Sequence, residues 1–156
     1  MTLEPLILKM ISYDHGCPGR IQHFLKVHSF AKTIAVLEHL DEKTLFITEA
    51  AAIRLCLEKY GDGNGKLQEK EGPALAEQML SELGFEKDVI ERVSFLVGHH
   101  HTYTGIDGLD YQILVEADFL VNLFEGNMDT AHIRATYDNI FRTETGKKIC
   151  REMFAL

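Results

Sequence analysis

Apolar residues recur along this chain with the period of an α-helix. The stretch "DYQILVEADFLVNLFEG" (110–126) is apolar on most sides of a helix, and "EKDVIERVSFLVGHHH" (86–101) carries apolar residues three and four positions apart. No run shows the strict alternation that is typical of a half-buried β-strand. The pattern therefore predicts an all-α fold, a single domain over residues 1–156 with six to eight helices.

Further segments show the same period. We predict a first helix over 2–12, and a second that opens at Pro18 in "CPGRIQHFLKVHSFAKTIAVLEHL". Others follow in "DEKTLFITEAAAIRLCLEKYG" (41–61) and "EGPALAEQMLSELG" (71–84), and two short helices hinge near "TETG" within 129–156. "GDGNGK" (61–66) predicts a loop and matches neither a Walker loop nor an EF-hand. The apolar residues Ile149, Met153 and Phe154 predict either a core contact or the seam of a homodimer.

The net charge and the cysteines limit the partners and the cellular compartment that we expect for the protein. The formal charge of −8 argues against a nucleic-acid duplex as partner, because such binding needs clustered Lys and Arg. Cys17, Cys56 and Cys150 are widely spaced and predict reduced thiols. The N-terminal stretch has no basic region typical of a signal peptide, and no apolar run approaches the roughly 20 residues that span a bilayer. We therefore expect a cytoplasmic location and no membrane partner.

Helical projection selects a few polar residues that face inward. His28 lies on the apolar stripe of the second helix. His100 extends the apolar stripe of the helix predicted within 86–101, and Asp118 lies in the row of Leu114 and Val121 on the helix predicted within 110–126. His99 lies on the edge next to His100. Each residue alone is compatible with a core polar side chain, but buried imidazoles and carboxylates are costly unless paired or metal-bound. Together they predict a metal site.

The remaining histidines are expected to lie elsewhere. His101 projects about 200° away from His99 and is expected to mark the helix end, where an imidazole favours the negative end of the helix dipole. The other four are predicted to be surface residues: His15, His23, His39 and His132.

These residues resemble the HD-domain superfamily of metal-dependent phosphohydrolases, whose order is H…HD…D. "FLKVHSFAKTIA" looks like the first element, "FLVGHHH" like the later histidine pair of several branches, and "LVEADFLVNL" like the closing aspartate. "QEKEGPALAEQML" is similar to a further family segment, with Gln68 where some branches have a histidine. The resemblance covers roughly residues 18–125. It implies His28, His99, His100 and Asp118 as metal ligands, with Asp118 and His100 in the catalytic centre.

The chain departs from the family at the central His-Asp dyad. Where the family has A-A-x-x-H-D, this chain reads "EAAAIRLCLEKYG". Either Leu55 and Cys56 occupy the dyad positions, or a segment is missing between Ile53 and Arg54. Without the dyad, the carboxylate that would bridge two ions or orient a hydrolytic water is absent.

The resemblance implies hydrolysis of a phosphoester on a nucleotide or another small phosphorylated molecule, and the missing dyad would impair this activity. The cofactor would be a divalent metal, and the imidazole-rich set favours Mn, Fe, Ni or Zn over Mg. Arg20 and Lys32 are the predicted phosphate contacts, with Lys26 and Lys66 as further candidates. One alternative is a non-catalytic HD-fold module that binds a nucleotide, a metal or a protein partner. Another is simple metal binding by the three consecutive histidines.

Overall fold

Every regular element in the described part of the chain is an α-helix. The computed structural model describes residues 2–54 and 65–156, and in the second range its description of side chains begins at Gly72. Eight α-helices and no strand occur in these residues, which confirms the predicted all-α fold. In chain order the helices are α1 (Glu4–Tyr13), α2 (Pro18–Leu37), α3 (Glu42–Arg54), α4 (Gly65–Glu82), α5 (Lys87–His99), α6 (Leu109–Glu125), α7 (Thr130–Ile140) and α8 (Glu144–Phe154).

Helices α2, α3 and α6 form the centre of the bundle. α2 packs against both α3 and α6, α4 packs against α5, and α3 contacts α1, α5 and α6. α6 is buried over almost its whole length, as expected from a sequence that is apolar on most sides. The site described below lies where α2, α6 and the end of α5 meet.

The buried face of α2 agrees with the predicted stripe only in part. The members of that stripe that are half-buried are Ile21, Leu25 and His28. Its other two members, Ala31 and Ala35, are fully buried as predicted, together with Phe24, Val27 and Ile34. Two neighbouring rows in the first half of α2 are apolar enough to serve as a core face, and the packing of α3 and α6 selects the row of Phe24 and Val27.

Helix ends follow the sequence signals in most places. α1 and α2 each carry a proline in the first turn. Asp129 caps α7 by accepting from the His132 backbone N–H, and Thr143 caps α8 by accepting from the Gly146 N–H. The break between α7 and α8 falls at residues 141–143, beside the predicted "TETG" hinge.

The start of α4 differs from the prediction. The sequence predicts that the helix begins near Pro73, yet α4 begins at Gly65 and carries Pro73 in its interior. A proline inside a helix removes one backbone hydrogen bond, so the sequence predicts a helix start at Pro73. The tertiary packing of α4 outweighs this preference. Gly72, just before it, packs closely enough on Val97 of α5 that an added Cβ would lie 3.0 Å from the Val97 side chain.

Several predictions concern residues outside the described part of the chain. These are the dyad positions Leu55 and Cys56 and most of the predicted loop 61–66, together with the side chains of Lys66 and Gln68. The predicted continuation of α3 to residue 61 also lies outside it. The last described residue of α3, Arg54, is fully buried against the sulfur atoms of Met10 and Met79. Burial lowers the pKa of its guanidinium to about 10.

The C-terminal apolar residues divide between core and surface. Ile149 and Phe154 pack against the core, whereas Met153 is 40% exposed. No helix in residues 2–54 and 65–156 has the length and apolarity required to cross a membrane.

Candidate metal centre

Two histidines and an aspartate come together at the junction of α5 and α6. One ligand atom from each of His100, His101 and Asp118 lies within 4.8 Å of the other two. Asp118 is 6% exposed and His100 is 2% exposed, while His101 is half-buried. We call these three residues the histidine–aspartate cluster.

The turn after α5 orients the two histidines. α5 ends at His99, and His100 is its C-terminal cap residue. The Nδ1 of His100 lies 2.7 Å from the Val97 carbonyl oxygen and donates to it, which leaves Nε2 with the lone pair in the neutral ring. The buried Tyr111 hydroxyl lies against the carbonyl oxygens of His99, at 2.6 Å, and of Thr102, so it ties this turn to α6.

The structure corrects the predicted orientation of His99 and His101. His99 is exposed, its ring stacks on Phe95 with centroids 4.1 Å apart, and its Nδ1 donates to the Phe95 carbonyl oxygen at 2.7 Å. His101 instead joins the cluster. A projection of 100° per residue holds only within a helix, and His101 lies in the turn beyond its end. The predicted role of His99 as a ligand has no support from its position.

His23 is the residue that the sequence argument missed. It was predicted to lie on the surface, but its side chain is only 15% exposed, and its Nε2 lies 3.5 Å from Oδ1 of Asp118. The available signal was its spacing, because His23 extends the buried row of Val27 and Ala31 by one more step of four residues. This row became recognisable as the buried one only once α2 was packed.

His28, predicted as the first ligand, lies against a different residue. Its Nε2 is 2.9 Å from Oε1 of the buried Glu49 on α3, and Nζ of Lys32 is 3.3 Å from the same oxygen. Among the described residues, the group that could hold a metal includes neither His28 nor His99, and His23 also lies outside it, next to its member Asp118. The predicted phosphate contact Lys32 therefore neutralises a buried carboxylate, and Arg20 lies 3.8 Å from the buried Asp14.

The electrostatics of Asp118 favour its ionised form. Burial by itself would raise the pKa of this carboxyl, but the His23 imidazole and the charges of His100 and His101 outweigh burial and hold it below the usual value. Burial likewise opposes the charged form of His23, yet Asp118 and Glu125 raise its pKa. The site therefore combines a carboxylate with imidazoles in a largely buried setting.

The donor set fits a divalent transition metal. Two imidazole rings and one carboxylate are ligands that Zn, Mn, Fe and Ni accept, and a metal charge at this position would satisfy a buried carboxylate. His23 lies outside this group of three and approaches it at Asp118, where its ring could add a further imidazole. The carboxylate of Glu125 on His23 and the carbonyl of Val97 on His100 supply the outer partners that ligating histidines use.

Comparison with solved structures gives the fold. The chain superposes on the crystal structure of a "predicted HD superfamily hydrolase" from an uncultured Thermotogales bacterium, with a TM-score of 0.67 and 23% sequence identity. The match covers 99% of this chain and 92% of that one. The fold is HD-domain-like. Comparison with protein-family models finds no match, and comparison with curated proteins finds none either.

The HD-like fold confirms the fold that the resemblance in the sequence implied. At this level of identity it carries the architecture and not the chemistry. The roles of individual residues must therefore be argued from the cluster itself.

Proposed function

We propose that the protein is a metal-dependent phosphohydrolase that acts on a nucleotide or another small phosphorylated molecule. The observation that carries the proposal is the histidine–aspartate cluster, two imidazoles and a buried carboxylate within 4.8 Å, in an HD-like fold. The structural neighbour's description as a hydrolase supports the same reaction class. The proposed location is cytoplasmic. Cys17 and Cys150, the two cysteines among the described residues, are free thiols, which agrees with a reducing compartment.

His100, His101 and Asp118 would hold the metal, with His23 as a fourth donor beside Asp118. A bound divalent ion would lower the pKa of a water molecule and neutralise charge on phosphoryl oxygens. Asp118 and His100 remain the proposed catalytic residues. Arg20 and Lys32 remain proposed phosphate contacts, and a phosphate there would compete with the carboxylates of Asp14 and Glu49.

A second candidate is a non-catalytic HD-fold module that binds a metal together with a nucleotide or a protein partner. The observation in its favour is the sequence "EAAAIRLCLEKYG", which has no His-Asp dyad: either Leu55 and Cys56 occupy its positions, or a segment is missing between Ile53 and Arg54. Without that dyad, a metal held by the cluster lacks the carboxylate that would orient a hydrolytic water. A homodimer also remains a proposal for either candidate.

Phosphate release by the manganese- or nickel-loaded protein tests the first candidate. The substrates would be nucleoside mono- and triphosphates together with a chromogenic phosphomonoester and phosphodiester. We expect turnover that Asp118→Asn abolishes. Glu116→Gln is the matched control, because it makes the same exchange on the same helix at a carboxylate outside the cluster.

Calorimetry with the same metals and nucleotides distinguishes the candidates. Binding without turnover by the wild-type protein would favour the module. Full turnover by Asp118→Asn would contradict the assignment of the site.

A further inference from the structure

A chain of polar contacts extends outward from the histidine–aspartate cluster along α2 and α6. The imidazole of His23 lies between two carboxylates of α6, with Nε2 3.5 Å from Oδ1 of Asp118 and Nδ1 2.7 Å from Oε2 of Glu125. Asp118 and Glu125 are seven residues apart, so they lie on the same face of α6 about two turns from each other. His23 on α2 spans the distance between them.

The contact with Glu125 defines which nitrogen of His23 carries a proton. A carboxylate only accepts hydrogen bonds, so Nδ1 of His23 must donate to Glu125. Asp118 also only accepts, so Nε2 donates to it while the ring carries both protons. When the ring carries one proton, the shorter contact with Glu125 keeps that proton on Nδ1 and leaves the lone pair on Nε2. A ligating histidine needs this arrangement, with one nitrogen on an outer acceptor and the other available to the metal.

Glu125 is itself held in place from α2. Its Oε1 lies 2.8 Å from Nζ of Lys26, while its Oε2 accepts from His23. Lys26 and His23 are three residues apart and share one side of α2. Because each carboxylate oxygen has its own partner, the two contacts together hold the Glu125 side chain in one orientation although it is 34% exposed.

We propose that Glu125 is a positioning residue for the metal centre: it holds His23 in the Nδ1–H tautomer with Nε2 directed at Asp118. This inference rests on the metal centre of the proposed function and assigns Glu125 no contact with substrate. Lys26 supports Glu125 and makes no contact of its own with the cluster among the interactions described.

Two measurements test the proposal, and both use the full chain with Zn²⁺ or Mn²⁺ alone as the probe. Calorimetry gives the metal dissociation constant of the wild type, Glu125→Ala and Glu125→Gln. We expect Glu125→Ala to weaken binding by about 10- to 100-fold, the usual range for an outer partner of a ligating histidine. Glu125→Gln should recover part of the loss, because an amide oxygen still accepts from Nδ1.

Nitrogen-15 NMR of the His23 ring in the metal-free protein supplies a readout that a purely structural role would not change. The wild type should show the Nδ1–H tautomer when the ring is neutral, and Glu125→Ala should shift it towards the Nε2–H form that predominates in free imidazole side chains. Glu91→Ala is the matched control. It removes the same charge from an exposed glutamate of α5 that pairs only with Lys87 among the described ion pairs.

Equal metal affinities for Glu125→Ala and Glu91→Ala, or an unchanged His23 tautomer in Glu125→Ala, would overturn the proposal. Failure of the proposed function is distinguishable from this result. If the wild type binds metal but hydrolyses nothing, hydrolysis is refuted while the affinity series still decides the role of Glu125. If the wild type binds no metal, both are refuted.

Discussion

Two of the buried carboxylates of helix α6, Glu116 and Asp118, lie two residues apart and have opposite environments. Glu116 is fully buried and accepts from four neutral donors, which are the Gln112 amide, the backbone N–H groups of Arg142 and Thr143, and the Thr143 hydroxyl. Asp118, about 200° away around the helix, lies among imidazoles. Burial raises the pKa of Glu116, whereas the imidazoles outweigh burial at Asp118 and lower its pKa.

The difference in partners and in pKa distinguishes Glu116, a carboxylate that stabilises the fold, from Asp118, a carboxylate that could bind a metal. Neutral donors satisfy the oxygens of Glu116 but supply no positive charge, so burial still disfavours its ionised form. Glu116 joins the α7–α8 connection to α6. The imidazole partners of Asp118 can carry a positive charge, and a metal can take their place beside the carboxylate. The carboxylate of Asp118 therefore stays ionised and available as a ligand.

The largest expected effect is on metal affinity. Asp118→Asn should reduce affinity for Zn²⁺ by at least roughly a hundredfold, since the loss of a ligand exceeds the usual loss of an outer partner. Glu116→Gln should change it by less than about twofold. Calorimetry on both variants gives the comparison. Similar losses in the two variants would mean that burial on α6, and not the cluster, governs binding.

Glu116→Ala should lower the free energy of unfolding by roughly 3 kcal/mol, because it leaves four donors without their acceptor in a buried setting. Denaturant unfolding of the metal-free protein measures this loss. Its metal affinity below the unfolding transition should match that of the wild type. A loss under about 1 kcal/mol would show that water replaces the carboxylate and that the hydrogen bonds of Glu116 contribute little to stability.

Gly146→Ala tests how closely α8 approaches Glu116. A Cβ at this position would lie 1.9 Å from Oε1 of Glu116 and 2.7 Å from the Thr143 hydroxyl oxygen, so the clash should cost roughly 2 kcal/mol in unfolding free energy. Gly19→Ala is the control. A Cβ there meets nothing within 4 Å, and the change should stabilise the protein by roughly 0.4–1 kcal/mol. Equal effects at the two sites would contradict the close approach.

The smallest effect concerns pH. Because the folded pKa of Glu116 is raised above its ordinary value of 4.5, its contribution to stability is present below pH 4.5 and is lost as pH rises through the folded pKa. The unfolding free energy of the wild type should therefore fall relative to that of Glu116→Gln over this window and then level off. Chemical denaturation of both proteins from pH 4 to pH 7.5 measures the difference. A constant difference would refute the raised pKa.

Most of the helices could be predicted from the sequence, because helical hydrogen bonding is local and its apolar period is visible in each segment. The burial of His100 and Asp118 was predictable for the same reason, since each extends an apolar row of its own helix. His101 was not predictable by projection, because the turn that carries it follows the end of α5.

The sequence alone could not decide whether His23 or His28 lies beside Asp118, and this required the packed structure. Each lies on an apolar row of α2, and only the positions of α3 and α6 direct His28 to Glu49 and His23 to Asp118. Three of the four donors to Glu116 also lie more than twenty residues along the chain, in the α7–α8 connection. Local sequence thus dictated the helices and their strongest buried positions. Tertiary packing chose the partners of the side chains at the helix edges, because those depend on how neighbouring helices cross.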